Sequence, residues 1–153
     1  MSETFETIRY TADVVVVTRH RGLRGLLRRI LRRTPYSHVL LIQRDWPPHQ
    51  GEWALPGGHA DKGETSRQAA ARELPEETGV YVNAARLHQI AVFDDPDRDP
   101  RGRYVTVAYL AVVPTGTPIE AGDDARTARW WPLDALPDLA FDHADILARA
   151  TAG

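Results

Sequence analysis

Two apolar runs near the start of the chain define its first elements. Tyr10–Thr18 (YTADVVVVT) is β-branched through its second half and predicts a mostly buried strand, and His38–Arg44 (HVLLIQR) predicts a second with a polar exit. Asp45–Gly51 holds two prolines and a glycine, so the pattern breaks into a loop. Glu52–Leu55 then leads into a turn at Pro56-Gly57-Gly58. From Glu64 or Thr65 the spacing becomes helical, with alanines and Leu74 facing inward and Gly79 ending the helix. Leu87–Phe93 and Arg103–Val113 return to strand patterns on either side of an acidic turn, Asp94–Gly102. Ala128–Trp131 predicts a short strand, Leu133–Leu136 a turn of helix, and Asp142–Ala150 a terminal helix with Asp142 as N-cap. Strands interleaved with helices place the chain in the α/β class.

Two stretches depart from this pattern. Pro75 falls inside the helix that ends at Gly79, where it lacks an N–H and crowds the carbonyl of Ala71, so a bend is expected near Ala71–Pro75. Arg19–Arg33 (RHRGLRGLLRRILRR) repeats leucine and isoleucine at helical spacing and fills the rest with arginine. It predicts a basic amphipathic helix inserted at about residues 19–35 between the first two strands. Its leucines would pack on the domain or on a dimer partner; an anionic membrane surface or nucleic acid is the alternative contact.

Composition narrows the class without changing it. At 153 residues the chain is long enough for one domain, 1–153, with a real core. Forty-two per cent hydrophobic and 26% charged residues are ordinary for a globular protein. A formal net charge of −2 gives no overall attraction to nucleic acid. The absence of cysteine excludes disulfides and thiolate metal sites. No apolar run approaches a membrane span and MSETFETIRY lacks a signal-peptide core, so a cytoplasmic location is the default expectation.

The chemistry concentrates between Gly58 and Val80. Glu73, Glu76 and Glu77 stand at i, i+3 and i+4, which puts three carboxylates on one helix face. Like charges so placed repel, and a hard divalent cation such as Mg²⁺, with Mn²⁺ as the alternative, is the natural counter-ion. The bland reading is a solvated acidic helix with pairs such as Arg72–Glu76.

The segment resembles the signature of the Nudix hydrolases, Gly-x5-Glu-x7-Arg-Glu-aliphatic-x-Glu-Glu-x-Gly-aliphatic, filled here by Gly58, Glu64, Arg72, Glu73, Leu74, Glu76, Glu77, Gly79 and Val80. That resemblance implies an α/β/α sandwich with a mixed β-sheet between helices. It also implies metal ligation by Glu73, Glu76, Glu77 and the carbonyl of Gly57, with Glu73 a further ligand or the base that deprotonates the attacking water. Arg72 would orient the carboxylates, and Glu64 would pair with it or touch the metal through water. An acid from a later loop would assist, and Glu120 is nominated first, then Asp123 and Asp124. Arg44, Arg101 and Arg103 would clamp phosphate or ribose phosphate, Trp46 would stack a base, and the turn through Gly58 would lie beside phosphate oxygens. His49, His59 and His143 have no companion at metal-ligand spacing and read as structural, and Asp94, Asp95, Asp97 and Asp99 read as a solvated turn.

The flanks WALPGG (Trp53–Gly58), DPDRDPRGRYVTVAYLAVV (Asp95–Val113) and WWPLDALPDLAFDHADIL (Trp130–Leu147) resemble the bacterial ADP-ribose pyrophosphatase branch. The implied reaction is hydrolysis of ADP-ribose to AMP and ribose 5-phosphate, by a homodimer that does not bind nucleic acid. Competing readings are a house-cleaning nucleoside triphosphate pyrophosphatase and a non-catalytic nucleotide-sensing module. An intact acidic box favours catalysis, and the basic insert is the one feature favouring binding.

Overall fold

The computed structural model describes residues 4–20, 34–122 and 125–152. The basic helix expected over Arg19–Arg33 lies almost wholly outside the described residues, as do Asp123 and Asp124. The elements run β1 (Arg9–Arg19), β2 (Tyr36–Arg44), β3 (Trp53–Ala54), β4 (Gly57–His59), α1 (Ser66–Thr78), a 3₁₀ turn (Ala84–Arg86), β5 (His88–Phe93), β6 (Tyr104–Val113), β7 (Ala125–Pro132) and α2 (His143–Thr151). No helix among the described residues is long and apolar enough to cross a membrane.

The seven strands form one mixed sheet. β1 runs parallel to β6 from Arg9 to Thr18, while the pairs β1–β2, β2–β3, β2–β7, β1–β4 and β5–β6 are antiparallel. β1 is apolar at successive positions because both its faces are covered. Val14 and Val16 pack with Ala69, Ala70 and Leu74 of α1. Val15 and Val17 pack with Ile146, Leu147 and Ala150 of α2. The sheet is therefore the middle layer of an α/β/α sandwich, as the resemblance implied.

On its other edge β1 changes partner. Thr11–Asp13 pairs with Gly57–His59 of β4, whereas Val17–Arg19 pairs with β2. Between them the Val14 N–H donates to the Pro56 carbonyl at 2.9 Å. The gap opened by this switch is where the cleft described below begins. The turn expected at Pro56-Gly57-Gly58 is corrected to strand β4, too short to leave a periodic signal. β7 begins at Ala125 rather than Ala128 because its register with β2 extends to Arg44. Leu133–Leu136 is a hydrogen-bonded turn (Ala135 N–H to Pro132 O, 3.0 Å) and not a turn of helix.

α1 begins with a capping box. The Gln68 N–H donates to Thr65 Oγ1 at 3.2 Å, and the Thr65 N–H donates to Gln68 Oε1 at 2.9 Å. It ends at Gly79, whose φ of 69° is the left-handed cap that glycine adopts freely. The helix runs unbroken through Pro75. Asp142 precedes α2 as expected but makes no side-chain cap bond. Its carboxylate instead accepts from Arg98 Nε at 2.9 Å and Nη2 at 2.6 Å.

Candidate active site

Arg72 organises the acidic face of α1. Its Nε and Nη2 donate to the two oxygens of Glu64 at 3.0 Å each, and Nη1 donates to Glu73 Oε1 at 2.9 Å and Glu76 Oε2 at 3.2 Å. Nη2 also reaches the His59 carbonyl at 2.9 Å, which ties the helix to β4. The guanidinium's five N–H groups thus meet five acceptors. Its hydrogen bonds to Glu64 raise the Arg72 pKa and hold the Glu64 carboxyl below its usual range. Because Nη1 spans Glu73 and Glu76, the acids on either side of Pro75 stay on one side of the helix.

Glu77 sits deeper in the fold than Glu76. It is buried, and its Oε2 accepts the Gly57 N–H at 2.8 Å. Gly58 next to it permits a close approach: a Cβ there would stand 2.5 Å from Glu73 Oε1. Glycines at 57 and 58 therefore let β4 lie directly against the two carboxylates. At the far end of α1 the loop carrying Glu120 docks on the free carbonyls. The Glu120 N–H donates to Thr78 O at 2.8 Å and the Gly122 N–H to Glu77 O at 3.0 Å. The Glu120 residue itself is exposed.

Glu77, Gly57 and Gly58 line a cleft of about 160 Å³. Thr11, Asp13, Leu55, His59, Arg44, Arg101, Tyr104 and Phe141 line it as well. Ligand pockets commonly measure about 300–1,000 Å³, so this one seats part of a dinucleotide-sized ligand and leaves the rest outside. Arg44 is held at the end of β2 by Nε to Pro48 O, 2.9 Å. Arg101 is fixed by both oxygens of Asp99, at 3.0 and 2.7 Å. Burial lowers the Arg44 pKa and the neighbouring Arg101 charge lowers it further. Burial and Arg101 act likewise on His59. Two repelling guanidiniums facing a partly dry cleft favour an anion between them.

Asp99 lies buried, so its reading as part of a solvated turn is corrected: burial alone would raise its pKa, but the Arg101 hydrogen bonds hold it below the ordinary value. Trp46 is 66% exposed and offers only its carbonyl, to Arg44 Nη2 at 3.4 Å. Arg103 bonds the Asp94 carbonyl at 2.7 Å and faces Glu6. Neither Trp46 nor Arg103 is on the cleft wall. Sequence reasoning missed Asp13, Arg98 and Phe141 and left His143 without a site role. Asp13 is 8% exposed and accepts from Thr106 Oγ1 at 2.7 Å, with His143 Nε2 at 3.7 Å and Arg98 Nη2 at 4.0 Å. A lone acid in a run of valines was the available signal, since a buried carboxylate demands partners. His143 accepts the Leu55 N–H on Nδ1 at 2.9 Å, and burial lowers its pKa.

Glu73, Glu76 and Glu77 with the Gly57 carbonyl are all hard oxygen donors, the set that Mg²⁺ or Mn²⁺ takes, and in donor type they fit such an ion. Among the described residues no three acids or imidazoles already converge on one metal-sized point. The Arg72 contacts and the Gly57 N–H hold the carboxylates in their present orientations.

The model of the NUDIX domain family matches residues 23–150. An ADP-ribose pyrophosphatase of Methanocaldococcus jannaschii is 43% identical over 111 residues, 72% of this chain and 64% of that protein. The ADPR responsive transcriptional repressor NtrR of Acinetobacter baylyi is 39% identical over 118 residues, 74% of this chain and 46% of that protein. The chain thus spans less than two-thirds of either relative. Among solved structures, the NUDIX domain of Shewanella oneidensis NrtR complexed with ADP ribose superposes with a TM-score of 0.77 at 31% identity, covering 95% of this chain and 88% of that one. A MutT/nudix family protein from Enterococcus faecalis gives 0.80 at 32% identity, covering 98% of this chain and 63% of the other.

Proposed function

The chain belongs to the Nudix family, and from that premise we propose that it is a divalent-metal-dependent pyrophosphohydrolase of nucleoside diphosphate derivatives, with ADP-ribose as substrate and AMP and ribose 5-phosphate as products. One observation carries the reading: the carboxylate of Glu77, backed by the Gly57 amide, lines the same cleft as Arg44 and Arg101. The carboxylate suits a cation and the guanidiniums a phosphate group. Similarity to an ADP-ribose pyrophosphatase and to a domain solved with ADP ribose supports the choice of substrate.

Nudix hydrolases generally use divalent metal ions. In this reading Glu73, Glu76, Glu77 and the Gly57 carbonyl hold the ion, with Mg²⁺ preferred over Mn²⁺. Once bound, such an ion neutralises diphosphate oxygens and lowers the pKa of a coordinated water. Glu73 takes the proton from the attacking water, and Glu120 is the second candidate for that task. Arg72 and Glu64 keep the carboxylates aligned. Arg44 and Arg101 hold the phosphate that leaves, Gly58 gives it backbone access, and Trp46 and Arg103 contact the part of the substrate outside the cleft. A single domain, a cytoplasmic location and assembly as a homodimer belong to the same reading, which the sequence and the resemblance support.

Product analysis tests it. Purified protein with Mg²⁺ and ADP-ribose is expected to release AMP and ribose 5-phosphate, faster than it cleaves oxidised nucleoside triphosphates or diadenosine polyphosphates. Glu77→Gln is expected to stay folded and lose turnover. Tight ADP-ribose binding with no cleavage by the unmutated protein would replace this reading with the sensing one, which the repressor similarity favours.

A further inference from the structure

Two non-glycine residues among the described residues have positive φ, His49 at 61° and Phe141 at 54°, and their rings meet edge to face with centroids 4.7 Å apart. A bulky side chain avoids this region because Cβ crowds the backbone oxygen, so a phenylalanine held there points to a constraint from its surroundings. The segment is pinned on both sides. The Ala140 N–H donates to Trp53 O at 2.8 Å, Arg98 grips the Asp142 carboxylate with two nitrogens, and His143 Nδ1 accepts from Leu55. Between these anchors Phe141 lines the cleft, beside His143.

That ring touches both cleft guanidiniums. The Arg44 carbon Cζ stands 4.8 Å from the ring centroid and the Arg101 Cζ 5.5 Å from it, although one arginine ends β2 and the other lies in the loop before β6, the two strands that flank β1. An aromatic face attracts a cation and, unlike a carboxylate, adds no negative charge that would compete with an incoming phosphate. We propose that Phe141 is a positioning residue of the phosphate site: its ring is the shared surface that keeps Arg44 and Arg101 aimed at one oxyanion, and the pinned left-handed backbone is what seats it there. The ligand class is a diphosphate or a sugar phosphate. The proposal rests on the reading of the cleft as a phosphate site, and not on ADP-ribose being the substrate.

The test is calorimetric binding of inorganic pyrophosphate without divalent cation, alongside steady-state hydrolysis of ADP-ribose with Mg²⁺. Phe141→Leu is expected to weaken pyrophosphate binding about five- to tenfold and to raise KM by a similar factor, with kcat moving far less. Phe141→Tyr is expected to restore both. In an Arg44→Gln background the same Phe141→Leu change is expected to cost less than about twofold, because one of its two cations is gone. Should Phe141→Leu fail to fold, Phe141→Gly relieves the positive φ while deleting the ring, and carries the same measurement. A folded ring-less variant that binds pyrophosphate like the unmutated protein, an undiminished penalty in the Arg44→Gln background, or an unmutated protein that does not bind pyrophosphate would each overturn the proposal. If the unmutated protein leaves ADP-ribose intact yet Phe141→Leu weakens its pyrophosphate binding, Phe141 keeps its role and the substrate reading falls.

Discussion

Arg72→Lys separates charge from geometry at the acidic face. The substitution keeps the cation but replaces a planar fork of five N–H groups by one nitrogen with three. Five acceptors surround the guanidinium: two oxygens of Glu64, one each of Glu73 and Glu76, and the His59 carbonyl. Lysine leaves at least two of these without a donor. Arg72 is 29% exposed, so each lost contact is worth about 0.2–1 kcal/mol rather than the value of a buried pair. The stability loss is then about 1 kcal/mol, a fall in Tm of about 2–4 °C for a chain of this size. Activity should respond far more. Glu73 and Glu76 are oriented by the same nitrogen, and misplacing catalytic groups by about 1 Å costs about a hundredfold. The expected result is a drop in kcat/KM of about a hundredfold, read by AMP release, with a Tm change of a few degrees by calorimetry. Turnover within about threefold of the unmutated protein would refute Arg72 as the organiser. A Tm collapse of more than about 10 °C would show that its role is structural instead.

Gly58→Ala would place a Cβ 2.5 Å from Glu73 Oε1, the mobile end of a side chain, so turnover is expected to fall about tenfold or more while the melting temperature barely moves. Thr65→Ala removes the side-chain half of the capping box and is expected to cost about 1 kcal/mol, a shift of about 2–4 °C by thermal melting, with kcat at 25 °C unchanged. Burial keeps the His143 imidazole neutral below its ordinary value of 6.5, so the unfolded chain binds a proton there that the folded one refuses. The stability tied to this group is complete above pH 6.5 and is lost as pH falls through that window, with a slope of up to about 1.4 kcal/mol per pH unit. His143→Asn keeps an acceptor for the Leu55 N–H and should flatten the urea midpoint between about pH 7.5 and pH 5 relative to the unmutated protein; equal slopes in the two proteins would count against it.

The parts of the site legible in the sequence are those written along one element. Glu73, Glu76 and Glu77 share α1 with Arg72, so fixed offsets of three and four residues announce their grouping before any tertiary contact is known. The strands β1, β2 and β6 were legible for the same reason, since a buried strand in a mixed sheet carries a long β-branched run. β4 escaped because a three-residue strand has no period, and its Pro-Gly-Gly approach has the composition of a turn. Asp99 escaped because its partner is two residues away, in a stretch whose four aspartates give the appearance of a solvated loop.

The rest of the cleft lining is assembled from single residues that no local pattern links. Asp13 comes from β1, Arg44 from the end of β2, Arg101 from the loop before β6, and Phe141 from the approach to α2. What gathers them is the change of partner along β1, from β4 at Asp13 to β2 at Val17, which opens the sheet at one point. Such a crevice at a break in sheet pairing is where α/β folds concentrate binding groups. The register that places it depends on Gly57 pairing with Asp13, and hence on a glycine whose Cβ would stand 2.2 Å from the Ala12 carbonyl oxygen. The glycines that resembled a simple turn are therefore what bring Glu77 of the acidic helix into the same cleft as Arg44 and Arg101: without that close approach, Glu77 would have no amide at Gly57 to hold it there.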